Sequence, residues 1–165
     1  MRLLRWLVFY LCCVVSPAIA GPAEDAAAAD HRGDYTTAAR LWRSLADQGS
    51  AQAQFNLATL YQDGKGVPLD NVQATHWYRR AANQGHQASQ WQLGLMHAEG
   101  RIVSQDYVQA HMWLNLVAAG LPASDQSNRR TAIAERDRLA TKMTPEQIAE
   151  AQRLAREWKP MPGAK

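Results

Sequence analysis

The side chains best suited to chemistry are five histidines, His31, His76, His86, His97 and His111, and their spacing limits what they can do. A metal site on one helix needs two ligands four residues apart, as in His-Glu-x-x-His, and no pair of these histidines has that spacing. His97 and Glu99 come nearest to an acid–base pair, yet two residues apart on a helix they point in different directions. His76 and His111 stand beside tryptophans, in His76-Trp77 and His111-Met112-Trp113, and read as partly solvated helix residues. Gly64-Lys65-Gly66 has the composition of a phosphate-cradling loop, but it follows a helical stretch rather than a strand and reads as a turn between helices. No Gly-x-Ser-x-Gly elbow and no dinucleotide fingerprint occurs. The sequence therefore assigns no catalytic residue, no metal and no cofactor.

Cys12 and Cys13 are the chain's two cysteines, and both lie in a segment with the marks of a signal peptide. Arg2 and Arg5 form a charged start, Trp6 to Val15 an apolar core, and Ala18-Ile19-Ala20 a small-residue cleavage site. The apolar run is about ten residues where a spanning helix needs roughly twenty, which favours a cleaved signal over an uncleaved anchor. Residues 1–20 are thus expected to be removed, leaving Gly21 first and the mature chain exported to the periplasm or secreted. That chain has no thiol for a disulfide, a nucleophile or a thiolate metal site. Of 18 basic residues, 16 remain after Arg2 and Arg5 leave, against 15 acidic ones. Near-neutrality gives no reason to expect nucleic acid or an anionic membrane as partner.

The elements that would position these side chains follow a repeat. Asp34, Asp70 and Asp106 are 36 residues apart; Ala38, Ala74 and Ala110 keep that register, as do Ala46, Ala82 and Ala118. Within one unit, Ala51 to Tyr61 has helical apolar spacing and is broken by Asp63-Gly64-Lys65-Gly66-Val67-Pro68. Asp70 then opens a second helix, with Gln73 placed to complete a capping box, and Asp106 with Gln109 repeats the arrangement. Each unit is a helical hairpin. After Gly120 the period is lost. Helical signals continue at Ser124 or Asp125, with Ala132, Ile133, Leu139 and Ala140 on one side, and at Thr144-Pro145-Glu146-Gln147. The last helix is expected to bury Ile148, Ala151, Ala155 and Trp158, to stop before Pro160 and to cover the end of the stack.

The pattern Ala53-x3-Leu57-Ala58-x2-Tyr61-x2-Gly64-x-Gly66-Val67-x2-Asp70-x3-Ala74-x2-Trp77-x3-Ala81-Ala82-x2-Gly85 resembles the Sel1-like repeat. The next unit departs from it, with His97 for Tyr61, Ile102 for Gly66 and one residue fewer before Gly120, so its loop is expected to be shaped differently. The resemblance implies an all-α, tetratricopeptide-like α-solenoid. Its expected divisions are a degenerate first hairpin at 22–49 that clearly retains only its second helix, a repeat at 50–85, a divergent repeat at 86–120 and capping helices at 121–160. It also raises the penicillin-directed hydrolysis linked to cysteine-rich members, which carry a disulfide in every repeat. A mature chain without cysteine does not fit that chemistry.

In such solenoids the first helices line the concave face, where the outward positions here are Gln52, Phe55, Thr59 and Gln62, then Ala88, Trp91, Leu95 and Glu99. Trp77 and Trp113 share a register beside small residues and read as core, as do Tyr61 and Tyr78. Phe55 and Trp91, also 36 apart, either form an aromatic patch for a protein or peptide partner or pack under neighbouring helices. The leading reading is a cofactor-free exported adaptor that uses Gln52, Phe55, Thr59, Gln62, Trp91, Leu95 and Glu99. A periplasmic hydrolase acting on cell-wall material and a self-associating homo-oligomer are the alternatives.

Overall fold

Asp34, Asp70 and Asp106 each end a non-helical stretch and begin a helix, and this sets the rhythm of the whole chain. In a computed structural model, which describes residues 21–163, eight helices and no strand are found among those residues. They are α1 (Pro22–His31), α2 (Tyr35–Asp47), α3 (Ala51–Asp63), α4 (Asn71–Asn83), α5 (Gln87–Glu99), α6 (Tyr107–Gly120), α7 (Gln126–Ala140) and α8 (Pro145–Glu157). The expected signal peptide lies outside the described residues.

Asp70 Oδ1 accepts from the backbone N–H groups of Val72 and Gln73, at 2.9 and 3.0 Å, and Asp106 Oδ1 from that of Gln109 at 3.0 Å. These bonds satisfy donors that the first turn of a helix leaves free. Among the described residues the reciprocal capping box forms at Thr144 and Gln147; the glutamines after Asp70 and Asp106 do not reach back to the cap.

Successive helices pack as antiparallel neighbours from α1 to α7. Small residues in the repeat register make this close approach possible: Ala38, Ala74 and Ala110 are fully buried, as are Ala46 and Ala82. Trp42, Trp77, Tyr78 and Trp113 fill the space between them and are buried, whereas Tyr61 is half-buried under the guanidinium of Arg43, which donates to its hydroxyl.

The first hairpin is more complete than its sequence indicates. α1 is a full helix whose buried contacts are Ala26 and Ala29, so it docks through methyl groups and shows little amphipathic contrast. His111 also departs from expectation, since it is 3% exposed where a partly solvated residue was anticipated. α7 packs over α6 and covers it, bringing Arg136 and Asp137 close to its ring.

The period that disappears after Gly120 continues in three dimensions. Four residues after the caps Ser50 and His86, the buried Gln54 and Gln90 donate to Ala46 O at 3.1 Å and Ala82 O at 3.2 Å, tying each helix to the end of the preceding one. Four residues after the cap Asp125, Arg129 donates to Leu121 O in the same way. α7 thus opens with the same cap-and-tie arrangement, its cap three residues later than the 36-residue period would place it.

α8 departs from this pattern and crosses α6. It buries Ala151 and Ala155, while Ile148 and Trp158 are only half-buried. The Trp158 ring lies beside Gly85, the Met161 N–H donates to Asn83 O at 2.8 Å, and Gly163 rests against Gly49 O and Gln84.

A groove along the first helices

Tyr78, fully buried on α4, organises the face presented by α3. Its hydroxyl donates to Gln62 Oε1 at 2.7 Å and lies 3.1 Å from Thr59 Oγ1, while its ring stands 5.7 Å from that of Phe55. Burial pushes the phenol's pKa up, so the hydroxyl stays protonated and available as the donor. Phe55 is also faced by the imidazole of His86, 5.0 Å away. Phe55, Thr59 and Gln62, four and three residues apart on α3, are thus held from behind by one side chain of the paired helix.

Two contiguous clefts run along this face. The first, of about 420 Å³, includes Tyr35, Phe55, Asn56, Thr59, Gln62 and Gln92 among its walls. The second, of about 430 Å³, includes Gln62, Asn71, Gln92, Leu95, Glu99 and Ile102. Gln62 and Gln92 belong to both, so the clefts form one groove from α3 to α5, and no residue of α7 or α8 lines either of them. Ion pairs mark its edges: Lys65 with Asp63 at 2.8 Å, and Arg101 with Glu99 at 2.5 Å. Both pairs are solvated and hold the charges locally rather than adding much stability.

Of the seven residues singled out in the sequence, Phe55, Thr59, Gln62, Leu95 and Glu99 share this groove. Gln52 lies outside it, exposed, donating to Asn56 and within 3.3 Å of His86 Nε2. Trp91 lines a separate cleft with Gln87, Ala88, Val117, Leu121, Asn128 and Thr131. The amides Asn56 and Gln92 were not singled out, although they too are 36 apart and directly follow Phe55 and Trp91. One residue on is about 100° around a helix, which turns that register into the groove.

His97 and Glu99 do not form a joint site. Glu99 is exposed and bound to Arg101, whereas His97 is half-buried near Asp106 and Arg79, with Nδ1 buried and lacking a hydrogen-bond partner. Burial is the main cause holding its pKa below the usual imidazole value. Among the described residues no cluster of three or more His, Cys, Asp or Glu side chains could hold a metal ion, and no helix is long and apolar enough to cross a membrane.

The model of the Sel1 repeat matches residues 29–50, 51–86 and 87–119, more than half of the chain. The chain belongs to the Sel1 repeat family. Such repeats mediate protein–protein interaction, and the family is typically non-catalytic. Comparison with curated proteins gives no match. Among solved structures, the chain is similar to a protective antigen of uropathogenic Escherichia coli displaying an SLR fold, with 32% identity and a TM-score of 0.70 over 83% of this chain. It is also similar to a Sel1 repeat protein from Oxalobacter formigenes, with 26% identity and a TM-score of 0.56 over 82% of this chain. The chain spans 29% of the length of the first and 63% of the second.

Proposed function

We propose that this Sel1 repeat chain is an exported, non-catalytic adaptor that holds a protein or peptide partner in the groove running from α3 to α5. The observation carrying this reading is the continuity of that groove through Gln62 and Gln92, with no residue of α7 or α8 among its walls. Its floor combines aromatic and aliphatic surface at Phe55 and Leu95 with amides at Asn56, Gln62 and Gln92, the mixture that recognises an extended chain rather than a small charged metabolite.

Gln92 is the most informative position, because it lines both clefts and its side chain makes no hydrogen bond among the described residues. Gln92→Lys is expected to leave helicity and the melting temperature unchanged and to weaken partner capture from an extract of the native cell by tenfold or more, an effect of about 1.4 kcal/mol. Undiminished capture by a folded Gln92→Lys protein would remove the groove from the reading. Export is tested separately by fractionating cells and sequencing the N-terminus of the mature chain. Gly21 is the expected first residue, and recovery of the intact Met1 form in the cytoplasm would overturn this part.

A further inference from the structure

Trp91 stands apart from the groove, and the reason its cleft is open lies in a comparison of two junctions within the molecule. At the junction of α3, α4 and α5, the Phe55 ring is faced by the imidazole of His86, 31 residues later, with centroids 5.0 Å apart and planes inclined by 40°. Trp91 is the counterpart of Phe55 one repeat on; 31 residues beyond it stands the exposed Pro122, outside α7, and the cap position that His86 holds on α5 falls to Asp125, whose carboxylate is bound to Asn128. The cap of α7 is Asp125, so the extra connection carries the chain away before a planar side chain can cover the indole. What remains is a cleft of about 340 Å³ with apolar walls at Trp91, Val117 and Leu121 and a mouth carrying Gln87, Asn128 and Thr131. No charged side chain lines it, and it shares no residue with the groove.

We propose that this cleft is a socket for an uncharged aromatic side chain of a partner polypeptide, which takes over Trp91 the place that His86 holds over Phe55. The half-exposed indole offers a face for offset or tilted ring packing, and the amide and hydroxyl groups at the mouth can pair with a phenol O–H or an indole N–H. A guanidinium or ammonium would lose its hydration against walls that offer no negative charge, beside the Arg129 guanidinium bonded to Leu121 O. The volume is at the lower end of the range for ligand pockets, enough for one ring system. A polypeptide side chain is the occupant because the equivalent place is already filled by one within this same chain.

The test is an NMR titration of the chain with capped pentapeptides, glycine on either side of a central tryptophan, tyrosine, cyclohexylalanine or lysine, alongside free indole. The tryptophan and tyrosine peptides are expected to bind in the millimolar range and to shift the signals of Trp91, Val117 and Thr131. Thr131→Phe, which fills the mouth from the exposed face of α7 and leaves the Trp91 contacts in place, is expected to weaken binding at least tenfold while the protein stays folded. Gln92→Lys is expected to change nothing, which separates this socket from the groove. Equal binding by the cyclohexylalanine peptide would show a merely greasy hollow and overturn the aromatic assignment. Tighter binding of free indole than of the tryptophan peptide would overturn the polypeptide source. Absence of shifts at Trp91, or binding undiminished in a folded Thr131→Phe protein, would overturn the socket itself.

Discussion

His86 shows how much one side chain can decide. Its Nδ1 accepts from the backbone N–H of Ser89 at 3.3 Å, which makes it the N-cap of α5, while Nε2 faces Gln52 Oε1 at 3.3 Å. Both contacts are met by the neutral ring with its proton on Nε2, donating to Gln52. Protonation would replace the cap acceptor with a donor and set a positive charge against the positive end of the helix dipole. Burial lowers the pKa of His86, and burial is likewise the leading cause of the lowered values at His97 and His111. A folded-state value below the unfolded one means that the unfolded chain takes up protons first as pH falls. The stabilising contribution is therefore complete above the ordinary histidine value of about 6.5 and is lost as pH drops through the folded-state values. Denaturant titrations between pH 8 and 5 are expected to show a flat upper range and a falling lower one. His86→Ser, which copies the cap at Ser50, should make the fall shallower; an unchanged slope would show that His86 takes no part in it.

At the scale of elements, the link between hairpins is sharpest at Gly66, in the loop between α3 and α4. It has φ +68°, and a Cβ built on it would lie 2.1 Å from Tyr35 O, so the loop is pressed onto the first turn of α2. Gly33 has φ +77° with nothing near its missing side chain. Gly33→Ala is expected to cost about 1 kcal/mol for the left-handed backbone alone, and Gly66→Ala roughly 3 kcal/mol or more because the loop must also move. Comparing the midpoints of urea unfolding for the two variants checks this; similar losses would refute the close approach. The same loop explains what the sequence could tell. Ile102 replaces Gly66 in the next unit, no residue other than glycine has a positive φ among those described, and the second cleft opens beside Ile102 and Asn71. The hairpins of α3 to α6 were legible because caps, glycines and alanines recur together. α1 was hard to read because alanine methyls carry its docking, and α7 because three added residues hide a register that Arg129 preserves in space. Phe55, Thr59, Gln62, Leu95 and Glu99 were found by helical position alone. Asn56 and Gln92 carry nothing in the sequence that separates them from ordinary solvated helix amides; only the rotation of one residue beyond Phe55 and Trp91 brings them to the groove.

For the molecule as a whole, α8 and the segment after it form the main departure from a simple stack. Trp158 packs with the core from one side and lies beside Gly85 on the other. Trp158→Ala is expected to lower stability by about 2 kcal/mol, less than for a fully buried ring, and to free residues 159–163 from their contacts. Hydrogen exchange at Met161, whose amide is bonded to Asn83, should accelerate together with the loss of melting temperature. Continued protection of that amide would mean that the segment is held without the ring. A stack of hairpins in which each unit touches only its neighbours melts by fraying inward from its ends, each unit contributing its own step. Here Gly163, next to Gly49, joins the far end of the chain to the boundary between the first and second hairpins. Such a strap adds a coupling beyond nearest neighbours, so the segment after α8 cannot peel away without loosening the joint between the first two hairpins. A solenoid strapped in this way is expected to lose its structure in one concerted transition rather than unit by unit, with equal calorimetric and van't Hoff enthalpies.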